Sequence, residues 1–210
     1  VGVSEDGVAG PATLKALGVW ADVIPGVDVS SYQTVDWSEV SRDEVQFAFV
    51  KASEGATWQD PRFIDHVRGA RGAGLQAGAY HFARLTNDPW SEVDNFLTQV
   101  ALAGPMDLPC VLDFEKDALD NPLQWLLCFL RQVEAETGVT PMLYTGVWRL
   151  RSMSGDTSQL TRFPYWVPSW GAQPVDCGPY SSWNCWQYTN KGRVSGIDGD
   201  VDMNWLVVQG

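Results

Sequence analysis

The segment CVLDFE, residues 110–115, is an apolar run that ends in two acids. Taking a carboxylate out of water costs several kcal/mol unless it is paired, hydrogen-bonded or protonated. Acids at the end of a buried run therefore point to use. In an extended chain, residues two apart face the same side with Cα atoms about 6.5–7 Å apart. Asp113 and Glu115 are then neighbours, while Leu112 and Phe114 turn the other way. Each negative charge raises the other's pKa, so one of the two can keep a proton and serve as an acid. Glycosidic cleavage asks for such a set: a proton donor for the leaving oxygen and a negative group beside an oxocarbenium-like centre. The spacing lies near both the retaining and the inverting ranges and does not choose between them. Further acids stand at comparable places: Asp28 late in one strand-like run, Glu54 just past another, and Asp202 in the last.

Other reactive residues are fewer. His81, in AYHF, is either a base or a hydrogen-bonded core histidine; His66, on a helical pattern beside Asp65, reads as a solvated surface residue. No Ser or Cys stands in a G-x-S-x-G turn, so acyl transfer has no visible nucleophile. IDGDVDMN, 197–204, alternates Asp198, Asp200, Asp202 and Asn204, but Met203 and Gln209 stand where an EF-hand needs Gly and Glu. The simpler reading is a turn at Asp198–Gly199 leading into a strand with an acidic face, and no metal or other cofactor is expected. Cys110 and Cys128 read as buried thiols, whereas Cys177 and Cys185 bracket a short loop that a disulfide could close.

The acids need elements to position them. Strand-like runs fall at 26–30, 47–53, 76–82, 110–115, 141–146, 165–170, 185–189 and 201–207. Between the early ones lie helical patterns. One follows Asp60; a second places Trp90, Val93, Phe96, Leu97 and Val100 on one face; a third does so with Leu123, Leu126, Leu127, Leu130 and Val133 before Gly138. The first half thus reads β/α and the tail β/β. Such alternation favours an α/β barrel, with an open doubly wound sheet as the alternative. No phosphate-binding glycine motif supports a nucleotide fold. In a parallel barrel, function sits at the C-terminal ends of the strands, which is where most of these acids fall.

The chain has 210 residues, 45% of them hydrophobic, enough for one sizeable core. Its net charge of −12, with no compensating basic cluster, argues against nucleic acid or anionic membrane as partner. The densest apolar window, WLLCFL, is far shorter than the about 18 residues of a membrane span. Eleven Trp are many for this length, and Trp beside carboxylates suits sugars, whose C–H faces stack on aromatic rings while hydroxyls take hydrogen bonds. The chain begins with Val and carries no signal-like segment, so an export signal or upstream domain is expected to have been removed.

Seven segments, GVDVSSYQ, FAFVKASEG, GLQAGAYHFAR, VLDFE, PMLYTG, YWVPSWG and WQYTNKGRVSGIDGDVDMNW, resemble in order those of glycoside hydrolase family 25, the Chalaropsis-type lysozymes. The resemblance implies a flattened TIM-like β/α barrel, (β/α)5(β)3, over residues 24–210. It implies a cell-wall lytic muramidase that cuts the β-1,4 bond from N-acetylmuramic acid to N-acetylglucosamine in peptidoglycan glycan strands. By the same carry-over, Glu115 is the general acid, Asp113 the carboxylate beside it, and Asp28 and Asp202 are further acids of the cleft. Glu54, Tyr80, Tyr144, Trp166 and Trp170 line it, Trp170 standing where an aromatic residue, often Tyr, is typical. Residues 1–23 resemble the tail of a helical peptidoglycan-binding domain. The implied setting is extracellular, as a secreted monomer or a phage endolysin acting on a host wall. A glycan-binding barrel without catalysis is the alternative, and a glycosidase cutting the other bond is a third reading.

Overall fold

In a computed structural model, the described residues are 23–40, 44–86, 88–116, 122–170 and 175–208. The expected domain remnant therefore lies, but for Val23, outside them. The strands are β1 Val23–Val29, β2 Phe47–Glu54, β3 Trp58–Gln59, β4 Gln76–Phe82, β5 Val111–Asp113, β6 Met142–Tyr144, β7 Tyr165–Pro168, β8 Cys185–Gly192 and β9 Val201–Val207. The helices are α1 Phe63–Gly72, α2 Pro89–Ala103, α3 Leu123–Thr137 and α4 Val147–Ser152, with a 3₁₀ turn at Thr157–Arg162. All eight strand-like runs of the sequence are strands of this sheet.

Their arrangement corrects the expected TIM-like (β/α)5(β)3 barrel. The sheet runs β1-β9-β8-β7-β6-β5-β4-β2 and closes through β1–β2, so eight strands form a closed barrel, with β3 a short addition to β2. It is mixed: β9 lies between β8 and β1 and is antiparallel to both. Four α-helices and the 3₁₀ turn pack around it, and no helix among the described residues joins β1 to β2 or β7 to β8. The β1–β2 connection instead covers the barrel with buried Trp37 and Val40. Trp37 packs on α1 at Gly69, where a Cβ would stand 2.1 Å from its ring.

Two cores result. Outside the barrel, the helices bury one face: Val93 and Phe96 of α2 and Leu126, Leu127, Leu130 and Val133 of α3 pack on the outer strand residues. Asp88 caps α2 by accepting from the Ser91 N–H at 3.1 Å, with Pro89 at the first position. Gly138 ends α3 at φ 71°. Inside, Phe47, Phe49, Val111, Met142, Trp166 and Leu206 fill the barrel. Gly26 and Gly78 make room for that plug, since a Cβ on either would lie 2.3 and 2.4 Å from the rings of Phe47 and Phe49.

Several side chains differ from expectation. His66 is buried, its Nδ1 accepting from Trp37 Nε1 at 3.2 Å, because the covering loop seals α1 from solvent. Trp90, in the first turn of α2, is half exposed rather than part of the apolar face. Cys177 and Cys185 are both free thiols. Strand alternation puts Cys185 inside the barrel, while Cys177 packs on the outer core, so the two do not meet. Cys110 is buried and Cys128 half-buried.

Candidate active site

The period-two alternation of the strands aims one set of side chains into the barrel mouth. Asp28 comes from β1, Tyr80 and Phe82 from β4, Asp113 from β5, Tyr144 from β6, Trp166 from β7, Gln187 from β8 and Asp202 from β9. Glu115, just past β5, and Trp170, just past β7, complete a cleft of about 300 Å³. Its floor is the top of the aromatic plug, with Trp166 ring centroids 4.7 Å from Phe49 and 4.9 Å from Tyr144.

Asp28 and Asp202 face each other in the β1–β9 register and share a hydrogen bond. Asp28 Oδ2 also accepts from Asn204 Nδ2 at 2.8 Å and Gln187 Nε2 at 3.0 Å. Burial raises the Asp28 carboxyl, and these two amide donors oppose it. Asp202 has no such donors; burial first, then the Asp28 charge, push it up to about 8. Burial raises both carboxyls, and the amide donors favour the charge on Asp28 and the proton on Asp202.

The second pair lies at two depths. Asp113 is buried, and its Oδ1 has no hydrogen-bond partner among the described residues. Burial, followed by the Glu115 charge, raises it well above the usual carboxylate range, with Lys51 opposing. Glu115 stands exposed on the rim, its Oε1 3.5 Å from the Tyr144 hydroxyl. Tyr80 and Tyr144 are held as neutral phenols by burial and by the surrounding carboxylates.

Gln187 and Asn204 organise the mouth and were not singled out by the sequence as site residues. Tyr144 O–H and Trp170 Nε1–H donate to Gln187 Oε1 at 3.1 and 3.2 Å, and Trp166 Nε1–H donates to Asn204 Oδ1 at 2.9 Å. An indole N–H can only donate, so each amide must turn its oxygen to the Trp and its nitrogen to Asp28. The available signal was a Gln and an Asn within strand runs, each buried and paired across β8–β9.

Of the residues expected to line the cleft, Tyr80, Tyr144, Trp166 and Trp170 do; Glu54 does not. A β-bulge between Lys51 and Ser53 shifts the strand register there. Lys51 enters the cleft instead, and Glu54 binds it from behind at 2.6 Å while also pairing with Arg84. Burial pushes the Glu54 carboxyl up, but the bonds to Lys51 and Arg84 outweigh it and hold it low. The Lys51 ammonium rests over Phe82, 4.6 Å from the ring centroid. Trp166 is 2% exposed and forms floor, whereas Trp170, 59% exposed, forms wall. His81 is fully buried between Ser53 (2.8 Å) and Glu92 (3.0 Å), a core histidine and not a base. Among the described residues no three His, Cys, Asp or Glu side chains are placed to hold a metal ion, and no helix is long and apolar enough to cross a membrane.

A barrel mouth that sets carboxyls at two depths beside an exposed indole holds the groups that glycosidic hydrolysis asks for. The family follows from comparison: residues 27–197 match the glycosyl hydrolases family 25, and the chain belongs to it. It is 31% identical over 196 residues to Lysozyme M1 of Streptomyces globisporus, covering 86% of this chain and 67% of that one. It is 27% identical over 207 residues to the N,O-diacetylmuramidase of Arthroderma benhamiae, covering 90% and 87%. The bacterial lysozyme of Streptomyces coelicolor superposes with a TM-score of 0.79 at 30% identity, covering 89% of this chain and 93% of that one.

Proposed function

We propose that this chain is a muramidase that hydrolyses the β-1,4 bond between N-acetylmuramic acid and N-acetylglucosamine in peptidoglycan. The observation that carries the reading is the depth difference between Glu115 and Asp113. Glu115, on the rim, can reach the leaving oxygen of a strand laid across the mouth, while Asp113 lies below the reacting ring. Glu115 gives its proton to that oxygen as the C–O bond breaks, and Asp113 steadies the positive ring or the substrate's own N-acetyl group as it closes on the anomeric carbon. This division needs the proton on Glu115 and the charge on Asp113. Burial and the Glu115 charge hold the Asp113 carboxyl up; Lys51 opposes them, and positive charge developing on the sugar ring above Asp113 favours its ionised form as the bond breaks.

The Asp28–Asp202 pair adds carboxyl oxygens beneath the ring that can accept from sugar hydroxyls, with Asp28 preorganised by Asn204 and Gln187. Trp170 gives the strand an aromatic wall, and Tyr80 and Tyr144 supply neutral hydroxyls. Glu54 acts through Lys51 rather than on the sugar. A wall substrate places the protein outside the cell that makes the wall, or in a phage lysate.

The test is digestion of purified peptidoglycan with the protein and with Glu115→Gln, borohydride reduction of the new ends and their identification by mass spectrometry. Reduced muramic acid from the parent and not from the variant is the expected result. Reduced glucosamine would move the cut to the other bond, and no new ends with retained wall binding would leave a glycan-binding barrel.

A further inference from the structure

The cleft continues past Glu115. A second hollow of about 330 Å³ is lined by Trp148, Val147 and Pro168 and shares Glu115, Tyr144 and Trp170 with the carboxylate cleft. Those three form a saddle between the two hollows. On one side are the Asp28–Asp202 pair and Asp113; on the other, the described lining holds one acid, Glu115, and one cation, Arg149.

Trp148 is 59% exposed, yet its ring is held. The buried Arg149 guanidinium lies 4.3 Å from its centroid and is itself laid over Phe114 at 5.2 Å. Next to it Gly146 has no side chain, and a Cβ there would stand 2.8 Å from Trp148 Nε1. A large apolar ring fixed from behind and open in front is a preorganised stacking surface, and sugar C–H faces are what such surfaces take. The proton donor marks the bond being cut. The ring that keeps the reacting carbon must lie over Asp113, so the departing ring falls across Glu115, where this hollow lies.

We propose that the Trp148 hollow is the leaving-side subsite and holds an uncharged N-acetylhexosamine ring, stacked on Trp148 as the Glu115 proton reaches its oxygen. The inference deepens the muramidase reading and rests on it. In the reaction, the glycosidic C–O bond breaks, Glu115 protonates the departing oxygen, and water supplies hydroxide to the anomeric carbon and a proton back to Glu115. Binding on the leaving side accelerates only substrates that carry a leaving sugar.

The experiment compares kcat/KM on peptide-free glycan strands with that on the β-fluoride of the N-acetylglucosaminyl-N-acetylmuramic acid disaccharide, whose leaving group is a single ion read by electrode. The glycan-to-fluoride ratio is the readout, so a general loss of activity cancels. It is expected to fall about tenfold in Trp148→Ala, to recover to within about threefold of the parent in Trp148→Phe, and to fall about threefold in Gly146→Ala, where the new Cβ displaces the ring. An active parent whose ratio is unchanged in Trp148→Ala, with both substrates unaffected or equally impaired, overturns the subsite and leaves the muramidase reading standing. A parent inert on both substrates overturns that reading and the subsite with it.

Discussion

Replacing Asp202 by Asn should make the protein more stable, and more so as the pH rises. Asp202 is raised from 3.8 in the open chain to about 8 in the fold. Between those values the native state binds a proton that the unfolded state has released, so stability falls with rising pH across that window and levels off above it. At about 1.36 kcal/mol per pH unit the displacement sets a ceiling of about 6 kcal/mol. Asp202 is only half-buried and shares its proton with Asp28, so solvent screening reduces the figure to about 2 kcal/mol. Asn keeps the shape of the protonated acid, donates to Asp28 and cannot ionise. For a chain of this size, about 2 kcal/mol is about 4–8 °C in Tm. Calorimetric melts of parent and variant should differ by that amount at pH 8.5, by about half of it near pH 6, and by little at pH 4.5. A gain that does not change with pH, or a loss at pH 8.5, would show that the pair does not hold a shared proton.

Gln187→Met removes one of the two amide donors to Asp28 and the acceptor of Tyr144 and Trp170. Losing a donor to the charged form raises the Asp28 pKa, so the acid limb of the kcat/KM profile on glycan strands should move to higher pH; an unmoved limb would detach Gln187 from the charge on Asp28. Gly78→Ala forces a Cβ to 2.4 Å from the Phe49 ring, which Trp166 confines on another side at 4.7 Å. Overpacking of about 3 kcal/mol should lower Tm by about 6–12 °C, and a fall under about 2 °C would mean that the plug yields. Glu92→Gln leaves a neutral amide where His81 and the N–H groups of Arg84 and Leu85 each bond a carboxylate oxygen at 3.0 Å. Leu85 is also held there at φ 56°, so a loss of about 3 kcal/mol in urea melts is expected, and a loss below about 1 kcal/mol would show that the Glu92 charge is not what holds these three groups.

The sequence made the strand positions legible because each is an apolar or alternating run bounded by turn residues, and the mouth acids legible because they interrupt those runs. Strand direction was not legible, since alternation looks the same read either way. The shared fate of Lys51 and Glu54 depends on a bulge that no local pattern announces, so the acid was expected in the cleft where the base lies. His66 was misplaced because its burial comes from Trp37, twenty-nine residues away and opposite a glycine. Gln187 and Asn204 went unread as site residues because single amides in strands carry no spacing signal. Their importance appears only when two indoles and one carboxylate converge on them.

The antiparallel insertion of β9 is also what completes the site. The rule that chemistry sits at strand C-termini applies to strands running the same way around a barrel. Asp202 is the second residue of its strand, so in a parallel β9 it would stand at the opposite end from Asp28, Asp113 and Glu115. Reversal brings it to the mouth, in register with Asp28, and sets Asn204 two residues deeper, beside Gly26 and Gln187. From there its amide reaches up to Asp28 and across to Trp166. The same reversal thus delivers a proton-holding carboxyl and the neutral donor that keeps its partner charged. Together with Gln187, that donor distinguishes Asp28 from Asp202 and favours the charge on Asp28.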